Sequence, residues 1–434
     1  MSPGPPRSGA LGDTGVQTLG NGVRVVVCHQ RHASTAAISV FVRGGSDHES
    51  ERLNGVSHVI EHMAFKGTRS RACQQINLDA ERLGADVDAH TDKDHTAFHM
   101  RGLARDAAAL VTMLGDIVTQ ACFPVAELER ERQVLLQEFA EDDDDPVAMA
   151  FRCFDRACYG EHPAGRPVIG KRANLRRFTR DDLIAEFARQ YTGENTVVAV
   201  SGAVDPAAIL RSAEHAFHAM PRGAASRAAP PDWIGGLRAR RLAGCSQAHV
   251  VVGYPIPPLA GAHEPFAVAA AAFGKGMSSP LLDELRERRG IVYHADCSAD
   301  VRDLCGQLVI DASTSPGQLR VYATEVSRLL REHAASVDPV AVDRARNQIR
   351  VRAACEHETP PERLERAALD LFAYGRILSI EERMDRIAQI GPDHVRGAFA
   401  QMLRAGAAIA VAGAYGRGEE NRLADLLAGA ARGD

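Results

Sequence analysis

The sequence has no uninterrupted apolar run of the roughly 20 residues that crossing a bilayer requires, so membrane insertion is not expected. It has no excess of basic residues either: 51 Lys and Arg stand against 56 Asp and Glu, for a formal net charge of -5. That balance excludes the electrostatic footprint of a general nucleic-acid binder. The opening stretch, MSPGPPRSGALGDTG, lacks the apolar core of a signal peptide and carries a single Arg. Neither a secretory leader nor a transit peptide is expected there, and residues 1–14 read as a flexible tail. The nine cysteines include no CxxC pair, and Cys153 and Cys158 have no matching partner pair. This pattern fits buried or incidental thiols in a reducing compartment, and argues against a disulfide or Cys–zinc framework. A cytoplasmic, bacterial protein is the expectation.

What is present is an ordinary globular composition, 45% hydrophobic and 25% charged, over 434 residues. That length suggests two domains. The order of elements repeats. A helix near 54–66 is followed by strand-like sequence near 86–100, helices over 103–121 and 124–144, and the β-branched strand ENTVVAVSGAVD (194–205). In the second half a helix near 279–289 precedes strands near 291–313, helices over 316–334 and 338–357, and the strand AAIAVAGAY (407–415). A long-period duplication explains this order economically. Strands at 24–30 and 36–45 open the first unit. The Pro/Gly/Ala-rich PRGAASRAAPPDWIGG (221–236) reads as a linker. The expected organisation is α+β: a first domain over 15–220, a linker over 221–244, a homologous domain over 245–420 and a tail over 421–434. Each domain should be a mainly antiparallel sheet packed with helices.

The chemistry concentrates in LNGVSHVIEHMAFKGT (53–68). On a helix, His58 and His62 share a face, and Glu61 joins them three residues after His58. Val56, Val59, Ile60 and Met63 fall on the opposite face. Hydrolytic zinc takes three protein ligands and keeps one position open for water. Two imidazoles at i and i+4 supply two ligands, and the adjacent Glu61 can take a proton from the activated water; the pattern is HxxEH. A third ligand must come from elsewhere. In ELERERQVLLQEFAEDDDDP (127–146), Leu128, Glu131, Leu135 and Glu138 fall along one helical stripe, flanked by Val134. Carboxylates on an apolar face need a partner. Glu138 as the third ligand and Glu131 as a carboxylate supporting a ligand His is the natural assignment. The set favours one Zn2+ per chain. The run Asp142–Asp145 reads as a solvated helix end, with attraction of basic peptides as the sharper alternative.

Together these blocks resemble the pitrilysin, insulinase and mitochondrial processing peptidase group of inverted-zincin metallopeptidases. GGSDHESERLNGVSHVIEHMAFKGT (44–68) is similar to the metal-binding block and ERLGADVDAHTDKDHTAFHM (81–100) to the edge strand that follows it. Residues 127–146 resemble the third-ligand block, and HPAGRPVIG (162–170) a further family stretch. The resemblance implies His58, His62 and Glu138 as zinc ligands, Glu61 as general base and Glu131 as support. It implies substrate contacts along Asp88, Ala89, His90 and Thr91, although relatives usually carry Asn where this chain has Asp88. LRERRGIVY (285–293) looks like the stretch whose Arg and Tyr reach the substrate, here Arg286 and Tyr293. Read alone, Arg286 is surface charge and Tyr293 begins a strand. GKGMSS (274–279) matches a small-residue loop. His90, His95 and His99 are not assigned to a metal. The resemblance further implies a metalloendopeptidase for unfolded peptides, working as half of a clamshell-shaped homodimer or beside an inactive paralogue. The competing class is a structural subunit without activity.

Overall fold

The computed structural model describes residues 14–428. Eleven strands form two sheets. The first sheet holds β1 (Thr14–Thr18), β2 (Arg24–His29), β3 (Thr35–Val42), β4 (Asp86–Thr91), β5 (Thr96–Leu103) and β6 (Thr196–Gly202), in the order β1-β2-β6-β3-β5-β4. The second holds β7 (Gly236–Arg241), β8 (Ala248–Ile256), β9 (Val292–Val301), β10 (Gly306–Thr314) and β11 (Ala408–Gly413), in the order β7-β11-β8-β10-β9. Leaving out β1, the two orders coincide strand for strand. Each sheet has one parallel pair, β2–β6 and β7–β11, at the same place in an otherwise antiparallel ladder. The repeat expected from the order of elements is therefore a repeat of topology.

The central strands read VVVAV-like because both of their faces are covered. Every residue of β6 and β11 is buried. The inner face of the first sheet packs Val25, Ile38, Val40, Phe98 and Val200 against the helices that carry Ile60, Met63, Leu114 and Ile117. The outer faces are covered by exchange. Helix 146–159 of the first half lays Met149, Ala150, Phe154 and Ala157 on Val251, Val309 and Ala410 of the second sheet. Helix 360–374 of the second half lays Leu364, Ala367, Ala368 and Leu371 on Val26, Phe41 and Val197 of the first. Proline sets up both exchanges. Pro146 and Pro360 each begin a helix directly after a twenty-residue one, Val125–Asp144 and Pro339–Glu358. The residue before a proline is driven out of the helical region, which ends the long helix and turns the chain. Asp145 then caps the exchanged helix, its Oδ1 accepting from the Val147 N–H at 2.9 Å.

Three sequence expectations need correction. Within the range read as linker, Gly236–Arg241 is β7, paired in parallel with β11. Its LRARR sequence hides it, because an exposed edge strand carries charge instead of apolar alternation. Within the range read as a C-terminal tail, residues up to Ala428 belong to helix 419–428, which buries Leu423 and Leu427 in the second core. Thr14, read as part of the tail, opens β1. Residues 1–13 and 429–434 lie outside the described residues. No described helix is long and apolar enough to cross a membrane.

Because helix 360–374 is the only cover on the outer face of β3 and β6 among the elements described above, its loss of volume should be felt throughout. Leu364→Ala is expected to cost about 2–5 kcal/mol, read as a lower denaturant midpoint in chemical unfolding.

Candidate metal centre

The helix Val56–Ala64 is anchored before it carries any chemistry. Gly55 precedes it with φ 98, a left-handed conformation, and a Cβ there would stand 2.8 Å from Gly170 Cα. The two glycines let the 162–170 stretch close on the start of the helix. The buried Glu49 carboxylate accepts from the backbone N–H groups of Gly55 and Ser57, both at 2.7 Å, and from Asn54 Nδ2 at 3.1 Å. An anion on the free N–H groups of a helix start is favourable. Burial still dominates and pushes its carboxyl up to about 7, against the pull of those bonds. Sequence reading missed Glu49; its only signal is its place seven residues before the helix begins at Val56.

The apolar face of this helix, Val56, Val59, Ile60 and Met63, is fully buried, which leaves His58, Glu61 and His62 on the other side. His58 Nε2 and His62 Nε2 face each other at 3.2 Å. Helix 125–144 brings Glu138 to both, 3.5 Å from His58 Nε2 and 3.7 Å from His62 Nε2. Glu131, about two turns earlier, accepts from His62 Nδ1 at 2.8 Å and pairs with Lys66 Nζ at 2.8 Å. The proton on Nδ1 is therefore committed to Glu131, and the Nε2 lone pair points into the cluster. The stripe expected on helix 125–144 holds for Leu128, Glu131 and Leu135, which are buried. Val134 does not flank it. It is 51% exposed, because one residue before Leu135 it is turned about 100° away.

Electrostatics agree with a cation at this point. His58 is pushed down to about 3, first by burial and then by the neighbouring His62, so its imidazole stays neutral. Burial pulls His62 down too, but the Glu131 bond and the surrounding carboxylates outweigh it and raise it. Glu61 is raised by burial, with Glu138 and Asp88 adding to the rise. Two imidazole nitrogens and a carboxylate 3.2–3.7 Å apart are the edges of a ligand tetrahedron. Bonds of 2.0–2.1 Å subtend edges of about 3.4 Å. The residues fit a zinc ion.

Of the edge-strand residues, Thr91 reaches the centre. Its hydroxyl donates to Glu61 Oε2 at 2.7 Å. Ala89 packs at the fringe of the inner core, Asp88 stays exposed, and His90 turns to the other face of the sheet. Strand β4 is the outermost strand, so its second edge is unpaired. Arg286 and Tyr293 are not brought to the centre. Arg286 lies on the 283–288 helical turn with its guanidinium 5.3 Å over the Tyr293 ring, and Tyr293 is 82% exposed. Among the described residues no hydrogen bond or ion pair joins either to His58, Glu61, His62 or Glu138. The acidic run is also spoken for: Asp142 and Asp143 pair with Arg152, and Asp145 is the helix cap.

Residues 24–172 match insulinase (peptidase family M16), and residues 177–349 match the peptidase M16 inactive domain. The chain is 32% identical over 409 residues to an uncharacterized zinc protease of Mycobacterium leprae, covering 92% of this chain and 91% of that protein. It is 28% identical over 377 residues to an uncharacterized zinc protease of Rickettsia bellii, covering 86% and 91%. Over 208 residues, 48% of this chain and 45% of the relative, it is 32% identical to the mitochondrial-processing peptidase subunit beta of Lentinula edodes. A protease from Helicobacter pylori shares the fold with a TM-score of 0.84 at 17% identity, covering 92% of this chain and 99% of that one. With its paired histidines, its glutamates and its doubled sheet, this chain belongs to the insulinase family of peptidases, M16.

Proposed function

We propose that this chain is a zinc-dependent metalloendopeptidase that cleaves extended, unfolded peptides inside a closed chamber. The single observation that carries this reading is Glu61. It stands beside the ligand set without being part of it, with one carboxylate oxygen held by Thr91. The other oxygen is left to move a proton.

His58, His62 and Glu138 would hold the zinc ion, which would supply a Lewis acid for the scissile carbonyl and bring the pKa of an attacking water to roughly 7. Glu61 takes the proton of that water and passes it to the leaving amine. Its burial, which raises its affinity for a proton, suits it to hold one between the two transfers. Glu131 fixes the tautomer and the ring plane of His62. The open edge of β4 offers main-chain groups to an extended peptide. Since β4 ends at Thr91, which touches Glu61, a peptide paired along β4 is led to the reacting groups. Folded proteins without a flexible segment cannot add such a strand. The nine free cysteines fit a reducing compartment, and a cytoplasmic location is part of the proposal.

The placement of Arg286 and Tyr293 favours a dimer. Strand β9 meets the β4–β5 turn at its far end, where Asp300 and Arg302 line a cleft with Asp92 and Lys93. Tyr293 lies seven residues back along β9, about 23 Å at ~3.3 Å per residue. An exposed phenol and guanidinium at that distance are better placed to donate to a carbonyl held by a second copy. A heterodimer with an inactive paralogue is the alternative that the same exposure allows.

Glu61→Gln is expected to keep the catalytic zinc and lose cleavage of unstructured peptides, checked by metal analysis beside mass spectrometry of the digests. Zinc retention with undiminished cleavage would remove Glu61 as the base. Glu131→Ala is expected to weaken zinc binding roughly 10–100-fold, measured by competition with a chelator. If the Arg–Tyr pair acts between copies, mixing Glu61→Gln chains with Arg286→Ala/Tyr293→Phe chains should restore part of the activity that each lacks alone. No recovery after subunit exchange, verified by light scattering, would confine the pair to its own chain.

A further inference from the structure

The outer face of the first sheet carries a second convergence of metal-ligating side chains. Successive side chains of a strand point to opposite faces. Thr91 faces Glu61, so His90 faces away from it, toward the exchanged helix 360–374. There it meets His95, from the turn leading into β5, and Glu365 from that helix. His90 Nε2 lies 3.4 Å from His95 Nε2, His95 Nε2 lies 3.5 Å from Glu365 Oε1, and His90 Nε2 lies 3.9 Å from the same oxygen. In the first cluster His58 Nε2 lies 3.2 Å from His62 Nε2 and 3.5 Å from Glu138 Oε1, and His62 Nε2 lies 3.7 Å from Glu138 Oε2. The two clusters have the same composition and nearly the same size, on opposite faces of one sheet.

The hydrogen bonds behind the ligands also correspond. His95 Nδ1 lies 2.7 Å from Asp94 Oδ1, as His62 Nδ1 lies 2.8 Å from Glu131. His90 Nδ1 lies 3.2 Å from His99 Nε2, and His99 Nδ1 lies 2.8 Å from Ser39 Oγ. That chain can run with His90 donating to His99 and His99 donating to Ser39. Both Nε2 lone pairs are then turned into the triangle, where they face each other and a carboxylate. Such an arrangement needs positive charge at its centre.

We propose that His90, His95 and Glu365 bind a second divalent transition-metal ion, zinc or a close relative, that fastens the two halves of the chain together. Two imidazoles and one carboxylate suit zinc, cobalt, nickel or copper rather than calcium or magnesium. His95 is 2% exposed at its side chain, whereas His90 and Glu365 are half-buried, so the ion has access from one side and keeps a position for water. The hairpin β4–β5 belongs to the first half and Glu365 to the second, so the ion cross-links the exchange at the strand that offers its edge to substrate. The rival occupant is a proton. Burial pushes His95 down, but its bonds to Asp94 and Glu365 outweigh that and bring it up to about 10. A proton on His95 answers Glu365 and leaves His90 Nε2 unanswered; a metal answers all three ligands and displaces the proton.

Full-length protein is loaded with a small excess of Zn2+, desalted, and assayed for metal per chain by mass spectrometry. The wild type is expected to hold two ions. The double variant His58→Ala/His62→Ala should hold one and Glu365→Gln should hold one. All three changes together should leave none. Co2+ added to the double variant should give the visible absorption of a four-coordinate ion, and Glu365→Gln or His95→Asn in that background should abolish it. Circular dichroism of each variant separates loss of the site from loss of the fold. A double variant that binds nothing overturns the second site while leaving the first intact. One that keeps its ion after Glu365→Gln places that ion elsewhere and overturns it equally. Loss of metal confined to the Glu365 variants would instead preserve this site and sink the His58–His62–Glu138 reading.

Discussion

The exchange of helices between the two sheets is the constraint on which the rest of the molecule depends. Sheets whose middle strands are TVVAV and AIAVA must be covered on both faces, and neither half covers its own outer face. Helix 146–159 and helix 360–374 supply the missing layers reciprocally. The long helices that precede them are placed by the same act. One of these, 125–144, is the helix that delivers Glu131 and Glu138 to the histidines. The metal ligands thus come from two elements of one half, yet their separation is set by how that half locks into the other.

The boundary between the halves is correspondingly polar where it is not helix on sheet. Arg43 Nε donates to Asp303 at 2.9 Å, and Asp155 of the exchanged helix pairs with Lys93 of the first half at 2.9 Å and with Arg302 of the second at 3.9 Å. Asp47 is buried among them, and burial pushes it up to about 7. Buried charges of this kind contribute little net stability but are costly to mismatch, so they specify one docking geometry. That geometry carries the β4–β5 hairpin, the strand edge and both histidine clusters with it.

The histidine–glutamate cluster was legible because helical periodicity turns sequence spacing into shared faces. His58, Glu61 and His62 stand where i, i+3 and i+4 place them, and Glu131 and Glu138 are the carboxylates that an apolar stripe cannot hold without partners. The sheets were legible as β-branched runs. The exchange was not, because nothing in Met149–Ala157 or Leu364–Leu371 says which of two similar apolar faces it will meet. Strand β7 escaped notice because LRARR is an edge strand dressed in charge, and helix 419–428 because two leucines in a polar stretch are a weak signal. Glu49 was missed, and Thr91 was read only as a substrate contact, for a different reason. Glu49 acts through three hydrogen bonds to the residues that open the helix and Thr91 through one to Glu61, and no periodicity encodes such bonds. His90, His95 and His99 were visible as residues, but their convergence on Glu365 spans some 270 positions and arises only when the halves interlock.

The exchange also has a timetable. The first sheet is complete when Gly202 has been made, but the helix that covers its outer face ends at Tyr374, about 170 residues later. At the usual ~5–20 residues per second of synthesis, Val26, Phe41 and Val197 wait uncovered for roughly 10–30 s on every nascent chain. During that interval a ribosome-bound intermediate presents a wide apolar sheet to its neighbours. The step most exposed to aggregation in the life of this protein therefore falls during translation, before Glu365 has been added to the chain.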